Sequence, residues 1–185
     1  LQFPERLMRR SLATLFLLLC GSLPTLAGAF SLSGLRSPDS VRPWQHVLEP
    51  LSGYLWLGAK LLGDSAADYC EAWNFGPLEV RGVPARDIAN RMIQLWGGGA
   101  WFHADPHAQQ KVETNLLRLS WEKAAMSLAW RPVYAWHEAL EEIVAWWKAH
   151  QAGGDMRAVG RAHIAAYVQR AQRQGLAWAD PLIAG

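Results

Sequence analysis

The stretch Val41-Arg42-Pro43-Trp44-Gln45-His46-Val47-Leu48-Glu49-Pro50-Leu51-Ser52-Gly53-Tyr54-Leu55 constrains the fold more than any other part of the chain. An arginine stands just before an aromatic-rich turn, and the turn opens a helix. Pro50 suits a first helical turn, where its missing N–H costs little. Leu48, Leu51, Leu55 and Leu62 recur at helical spacing with Trp44 ahead of them, which predicts a helix burying that one face. Gly63-Asp64-Ser65 ends it.

Other elements are set by local signals. Residues 72–75 (Ala-Trp-Asn-Phe) read as a short buried strand ending in the Gly76-Pro77 turn. Pro84 opens a helix through residue 95, with Ile88, Met92 and Leu95 inward and Gly97 as its stop. Residues 101–102 and 116–119 read as short strands. Ser120 caps a helix over 121–128. Leu140, Ile143, Val144 and Trp147 mark another amphipathic helix. A last one runs over 157–174, with Ile164, Tyr167, Val168 and Ala171 inward.

Composition suits one domain. The chain has 185 residues, 51% apolar and 18% charged, so it is neither disordered by composition nor strongly charged. A net charge of +2 gives no ground for nucleic acid or an anionic membrane as partner. Cys20 and Cys70 lack the paired spacing of a disulfide framework or a zinc knuckle. The first 35 residues differ from the rest. Met8-Arg9-Arg10, an apolar run to Cys20 and Ala27-Gly28-Ala29 have the layout of a secretory signal. Gly21 and Pro24 interrupt the run, and it is short for a membrane span. The bias toward Leu, Ser, Arg, Gly and Pro favours a segment foreign to the remainder of the chain.

Several residues invite chemistry. The Arg42 guanidinium can give two parallel charge-assisted hydrogen bonds to a phosphate; otherwise it pairs locally with Asp39 or Glu49. His46, beside an aromatic cluster, reads as a hydrogen-bonded structural residue. Asn74 offers an amide to a ligand or to the turn after it. His103-Ala104-Asp105-Pro106-His107 holds only three candidate ligands on a stiffened spacing, so no metal site is expected. Glu141 and Glu142 point about 100° apart on a helix, which suits a solvated face better than paired acid–base work.

The residues 41–55, Ala72-Trp73-Asn74-Phe75-Gly76-Pro77, residues 112–120, Leu128-Ala129-Trp130-Arg131-Pro132, Glu138-Ala139-Leu140 and Trp146-Trp147-Lys148-Ala149 occur in an order that resembles the carboxy-terminal half of the CDP-glucose 4,6-dehydratases. These are extended short-chain dehydrogenases/reductases, in the NAD-dependent epimerase/dehydratase family. The resemblance covers roughly residues 36–177. It implies an α/β fold of the extended short-chain dehydrogenase type, here mainly the helix-rich substrate-binding portion with a few short strands and no Rossmann core. Residues 1–35 would be an atypical amino-terminal segment, 36–178 the sugar-nucleotide-binding portion and 179–185 a tail.

The resemblance also implies roles. Arg42 matches an arginine that contacts the nucleotide pyrophosphate. Asn74 falls near the bound nucleotide, and Lys111, Glu113 and Asn115 lie in a segment that closes the site. The family commonly has His before the glutamate, whereas this chain has Val112. The implied parent reaction oxidises C4 of CDP-glucose with bound NAD, removes water across C5–C6 and returns the hydride to C6. Its product, CDP-4-keto-6-deoxyglucose, serves deoxysugar and O-antigen synthesis.

Two motifs of that chemistry are missing. No Gly-x-x-Gly-x-x-Gly occurs, only Gly97-Gly98-Gly99 and Gly153-Gly154. The residues four past Tyr54, Tyr69, Tyr134 and Tyr167 are Gly58, Trp73, Glu138 and Ala171, so no Tyr-x-x-x-Lys pair exists. The expectation is a fragment with substrate contacts, no catalytic residue, no bound NAD and no activity alone. The parent would be a cytoplasmic homo-oligomer acting on a CDP-sugar. The alternatives are an exported or membrane-tethered α-helical interaction module, led by residues 8–29, and a piece of an epimerase or dehydratase for another nucleotide sugar.

Overall fold

A computed structural model of the chain describes residues 30–31, 34–79, 81–104 and 116–180. Within them, β1 is Phe30–Ser31, β2 Val41–Arg42, α1 Leu48–Leu61, β3 Val83–Pro84, α2 Ala85–Trp96, β4 Gly99–Ala100, α3 Glu122–Leu128, α4 Trp136–Gln151 and α5 Met156–Arg173. Helices dominate. β1 pairs with β4 in parallel, and β2 pairs antiparallel with β3, Val41 opposite Pro84 and Arg42 opposite Val83. Single bridges join Leu35 to His103 and Val41 to Leu116.

α2 obeys its local signals closely. Pro84 caps it in extended conformation, and Gly97 stops it at φ 102°, a left-handed conformation that glycine adopts without strain. Ile88 and Met92 are buried with Val83 and Leu140 of α4, and Leu95 packs against them. On α4, Leu140 and Val144 are buried as expected. α5 starts at Asp155, whose carboxylate accepts from the N–H groups of Arg157 and Ala158. It buries Tyr167 and Ala171, whereas Ile164 points outward at 52% exposure. Ser120 Oγ accepts from Glu122 N at the start of α3, at 3.3 Å.

The buried face of α1 is not the leucine stripe. Leu51, Leu55 and Leu62 are exposed, and the inward face is Glu49, Ser52, Gly53 and Trp56. Two contacts explain the rotation. The Glu49 carboxylate is drawn inward by backbone N–H groups of Val133 and Tyr134, at 2.9 and 2.8 Å. Gly53 lets the Phe75 ring lie flush, since a Cβ there would stand 2.3 Å from Phe75 Cδ1. α1 thereby touches two cores, one around Trp56, Phe75, Ala124, Leu128 and Trp130, the other around Val133, Tyr134, Ala139, Tyr167 and Ala171.

No strand forms over residues 72–75. The carbonyls of this region are taken by side chains instead: Lys123 Nζ donates to Ala72 O, Gln45 Nε2 to Phe75 O and the Trp121 indole to Pro77 O. Residues 101–102 and 117–119 are also irregular, beside paired positions at Gly99–Ala100, His103 and Leu116. Glu141 and Glu142 do more than face water, because Glu141 pairs with Arg91 of α2 and Glu142 with His163 of α5.

Candidate functional site

Arg42 ends β2, half-buried, with one guanidinium nitrogen donating to Val41 O. Of the two carboxylates expected as local partners, Asp39 pairs with Arg86 and Glu49 is engaged elsewhere. The turn after Arg42 is fixed by consecutive side chains. Trp44 Nε1 donates to Val83 O at 2.9 Å, and Gln45 Nε2 to Phe75 O at 3.0 Å. His46 Nδ1 accepts from Leu48 N at 3.2 Å, so a ring nitrogen takes one of the amide hydrogens at the start of α1.

These bonds gather the expected nucleotide-contact segments. Gln45 ties the Arg42 turn to the residue after Asn74, and Asn74 itself is exposed. Val41 O accepts from Leu117 N at 3.1 Å beside the Val41–Leu116 bridge. Lys111, Glu113 and Asn115 lie outside the described residues, as do Asp105 and His107. His103 Nε2 is 3.3 Å from Arg36 O, and among the described residues no group of three His, Cys, Asp or Glu side chains converges as metal ligands. An open groove of about 400 Å³ lies on the β3 side, lined by Glu79, Arg81, Gly82, Val83, Pro84, Asp87 and Trp136.

Behind the Arg42 turn sits a polar cluster that sequence reasoning missed. Glu49 is fully buried, and Tyr167 Oη donates to its Oε2 at 2.9 Å. Tyr167 Oη is also 3.0 Å from Ser52 Oγ, which accepts from the Trp130 indole at 3.0 Å and donates to Glu49 O at 2.8 Å. Burial pushes the Glu49 carboxyl up to about 6, against the pull of its N–H donors, Tyr167 and Arg170. Burial, helped by nearby His163, lowers His46 to about 4, so the ring stays neutral. His46 thus has the structural role its surroundings suggested. The one sequence signal for the cluster was Glu49, Ser52, Gly53 and Trp56 at i, i+3, i+4, i+7, a face less apolar than its neighbour.

The glycine turns do not cradle a pyrophosphate. Gly97-Gly98-Gly99 comes after the carboxy-terminal end of α2, where carbonyls project rather than N–H groups. Gly153-Gly154 does precede a helix, but Asp155 already occupies its first N–H groups. The described residues therefore do not fit NAD in the way the dinucleotide folds hold it.

Against known proteins, the chain is 38% identical over 143 residues to the CDP-glucose 4,6-dehydratase of Salmonella typhimurium. The chain is similar to a nucleotide-sugar dehydratase. The matched part is 75% of this chain and 38% of that enzyme, so the chain spans well under half of its relative's length. No protein-family model matches. Among the described residues no helix is long and apolar enough to cross a membrane; residues 8–29 lie outside them.

Proposed function

We propose that this chain is the substrate-side, carboxy-terminal portion of an extended short-chain dehydrogenase of the CDP-glucose 4,6-dehydratase type. The observation that carries this reading is the 38% identity to such an enzyme over three quarters of the chain. The placement of Arg42 adds to it: the residue ends a strand whose turn is bonded to β3 and to the segment of Asn74. In this reading Arg42 grips a nucleotide diphosphate, and Asn74, Lys111, Glu113 and Asn115 contribute further substrate contacts. No residue here matches the Tyr-x-x-x-Lys pair, so the chain binds without turning over. NAD chemistry, supplied by a dinucleotide-binding portion, stays with the parent enzyme.

Titration calorimetry with CDP-glucose tests the reading, with UDP- and dTDP-glucose as comparators. CDP-glucose is expected to bind most tightly. Arg42→Ala is expected to weaken it by roughly ten- to a hundredfold, the loss of about 1.5–3 kcal/mol for hydrogen bonds to a charged group. Arg42→Lys recovers part of that, because an ammonium keeps the charge without the fork. Equal binding of all three sugars, or unchanged affinity in Arg42→Ala, would sink the assignment. Incubation of the unaltered chain with CDP-glucose and NAD is expected to yield no 4-keto-6-deoxysugar; turnover above a protein-free blank contradicts the inactive reading.

A further inference from the structure

The buried cluster behind the Arg42 turn has a proton inventory that decides its charge state. Four contacts need a hydrogen each: Tyr167 Oη with Glu49 Oε2, Tyr167 Oη with Ser52 Oγ, Ser52 Oγ with Glu49 O, and the Trp130 indole with Ser52 Oγ. With Glu49 ionised, the phenol, the hydroxyl and the indole supply three hydrogens. Two oxygens then face each other at 3.0 Å with one hydrogen shared between neighbouring contacts. With Glu49 protonated there are four hydrogens for four contacts. In that form the Tyr167–Glu49 bond runs the other way: the carboxyl donates to Tyr167, Tyr167 to Ser52, Ser52 to Glu49 O, and Trp130 to Ser52. Both carboxyl oxygens still accept from Val133 and Tyr134 N–H.

We propose that Glu49 is a proton-linked joint: protonated, it closes a fully matched network tying α1 to α5 and to residues 130–134, and ionised, it loosens that tie directly behind the Arg42 turn. The charged and titratable groups around it bear on both states. On its own segment this is His46, and on the 130–134 segment Tyr134. On α4 they are Glu138 and Glu142, and on α5 His163, Tyr167 and Arg170. Arg170 favours the ionised form, but its guanidinium is paired with Glu138 and lies over the Tyr134 ring. Burial outweighs it and moves the carboxyl from 4.5 to about 6.

That direction fixes the sign. A carboxyl raised in the folded state contributes stability below its unfolded value and loses it as pH rises through about 6. His46 acts oppositely, since lowering to about 4 removes stability as pH falls below 6.5. A ratio of folding constants between wild type and Glu49→Gln cancels His46, which both proteins share. That ratio is expected to fall by roughly fifteenfold between about pH 4.5 and 7.5. In the full chain labelled with ¹³Cδ-glutamate, one carboxyl resonance is expected to titrate near 6, and Glu49→Gln removes it. Should Glu49→Gln fail to fold, Tyr167→Phe serves instead and shifts that same midpoint. Glutamates that all titrate at ordinary values, or a pH-independent ratio, would overturn the proposal.

Discussion

Glu49→Ala is expected to lower stability by on the order of 3–5 kcal/mol, because several buried polar groups lose their partner at about 1–3 kcal/mol each. The substitution shortens a side chain with no exposed surface and leaves the N–H groups of Val133 and Tyr134 and the Tyr167 hydroxyl without their partner. Glu49→Gln keeps one carbonyl but turns an –NH₂ toward a backbone N–H, so an intermediate loss is expected. Urea denaturation monitored by circular dichroism measures both. A loss below about 1 kcal/mol in Glu49→Ala would mean that the carboxylate is a passenger.

Trp130→Ala is expected to be of similar size, about 3–5 kcal/mol, for a different reason. Trp130 has no exposed surface, packs edge-on to Phe75 at 4.9 Å between ring centroids, and sits among Trp56, Ala124 and Leu128. Deleting the ring removes its transfer energy and leaves a cavity that rigid aromatic neighbours cannot close. Ser52 Oγ also loses an indole donor. Trp130→Phe refills most of the space and is expected to recover more than half of the loss. Thermal unfolding by circular dichroism is the readout, with a drop on the order of 10 °C expected for Trp130→Ala. Equal midpoints for the two variants would show that the hydrogen bond, not the volume, carries the effect.

What could be read in the sequence was what local chemistry decides. Pro84 and Gly97 bracket α2 because a fixed φ and a left-handed residue act within one turn. The face of α1 was not legible, because it is chosen by Val133, Tyr134 and Tyr167, some 84 to 118 positions away. A buried carboxylate matched to distant N–H groups leaves no periodic signature, and the leucines beside it do. Residues 72–75 misled for a related reason: an aromatic run reads as a strand, whereas its carbonyls are taken by the side chains of Lys123 and Gln45. For the site, the Arg42 turn was legible through its own residues. The tie that brings Asn74 beside it was not, since a glutamine side chain bonded to a backbone carbonyl can be anywhere in a sequence.

The segment around Phe75 is held by its oxygens. Gln45 and Trp121 reach down to Phe75 O and Pro77 O, and Lys123 to Ala72 O, while the segment's own amide hydrogens take no part in those three bonds. Fixity by acceptors does not by itself protect a segment's amide hydrogens. A stretch can be bolted to the body of the protein through its acceptors and still trade its amide hydrogens with water. Deuterium uptake would score such a stretch as loose although its path in space is set, whereas a carbonyl-sensitive probe would find it anchored. Any ligand contact made by Asn74 would then be presented on a support fixed through its carbonyls.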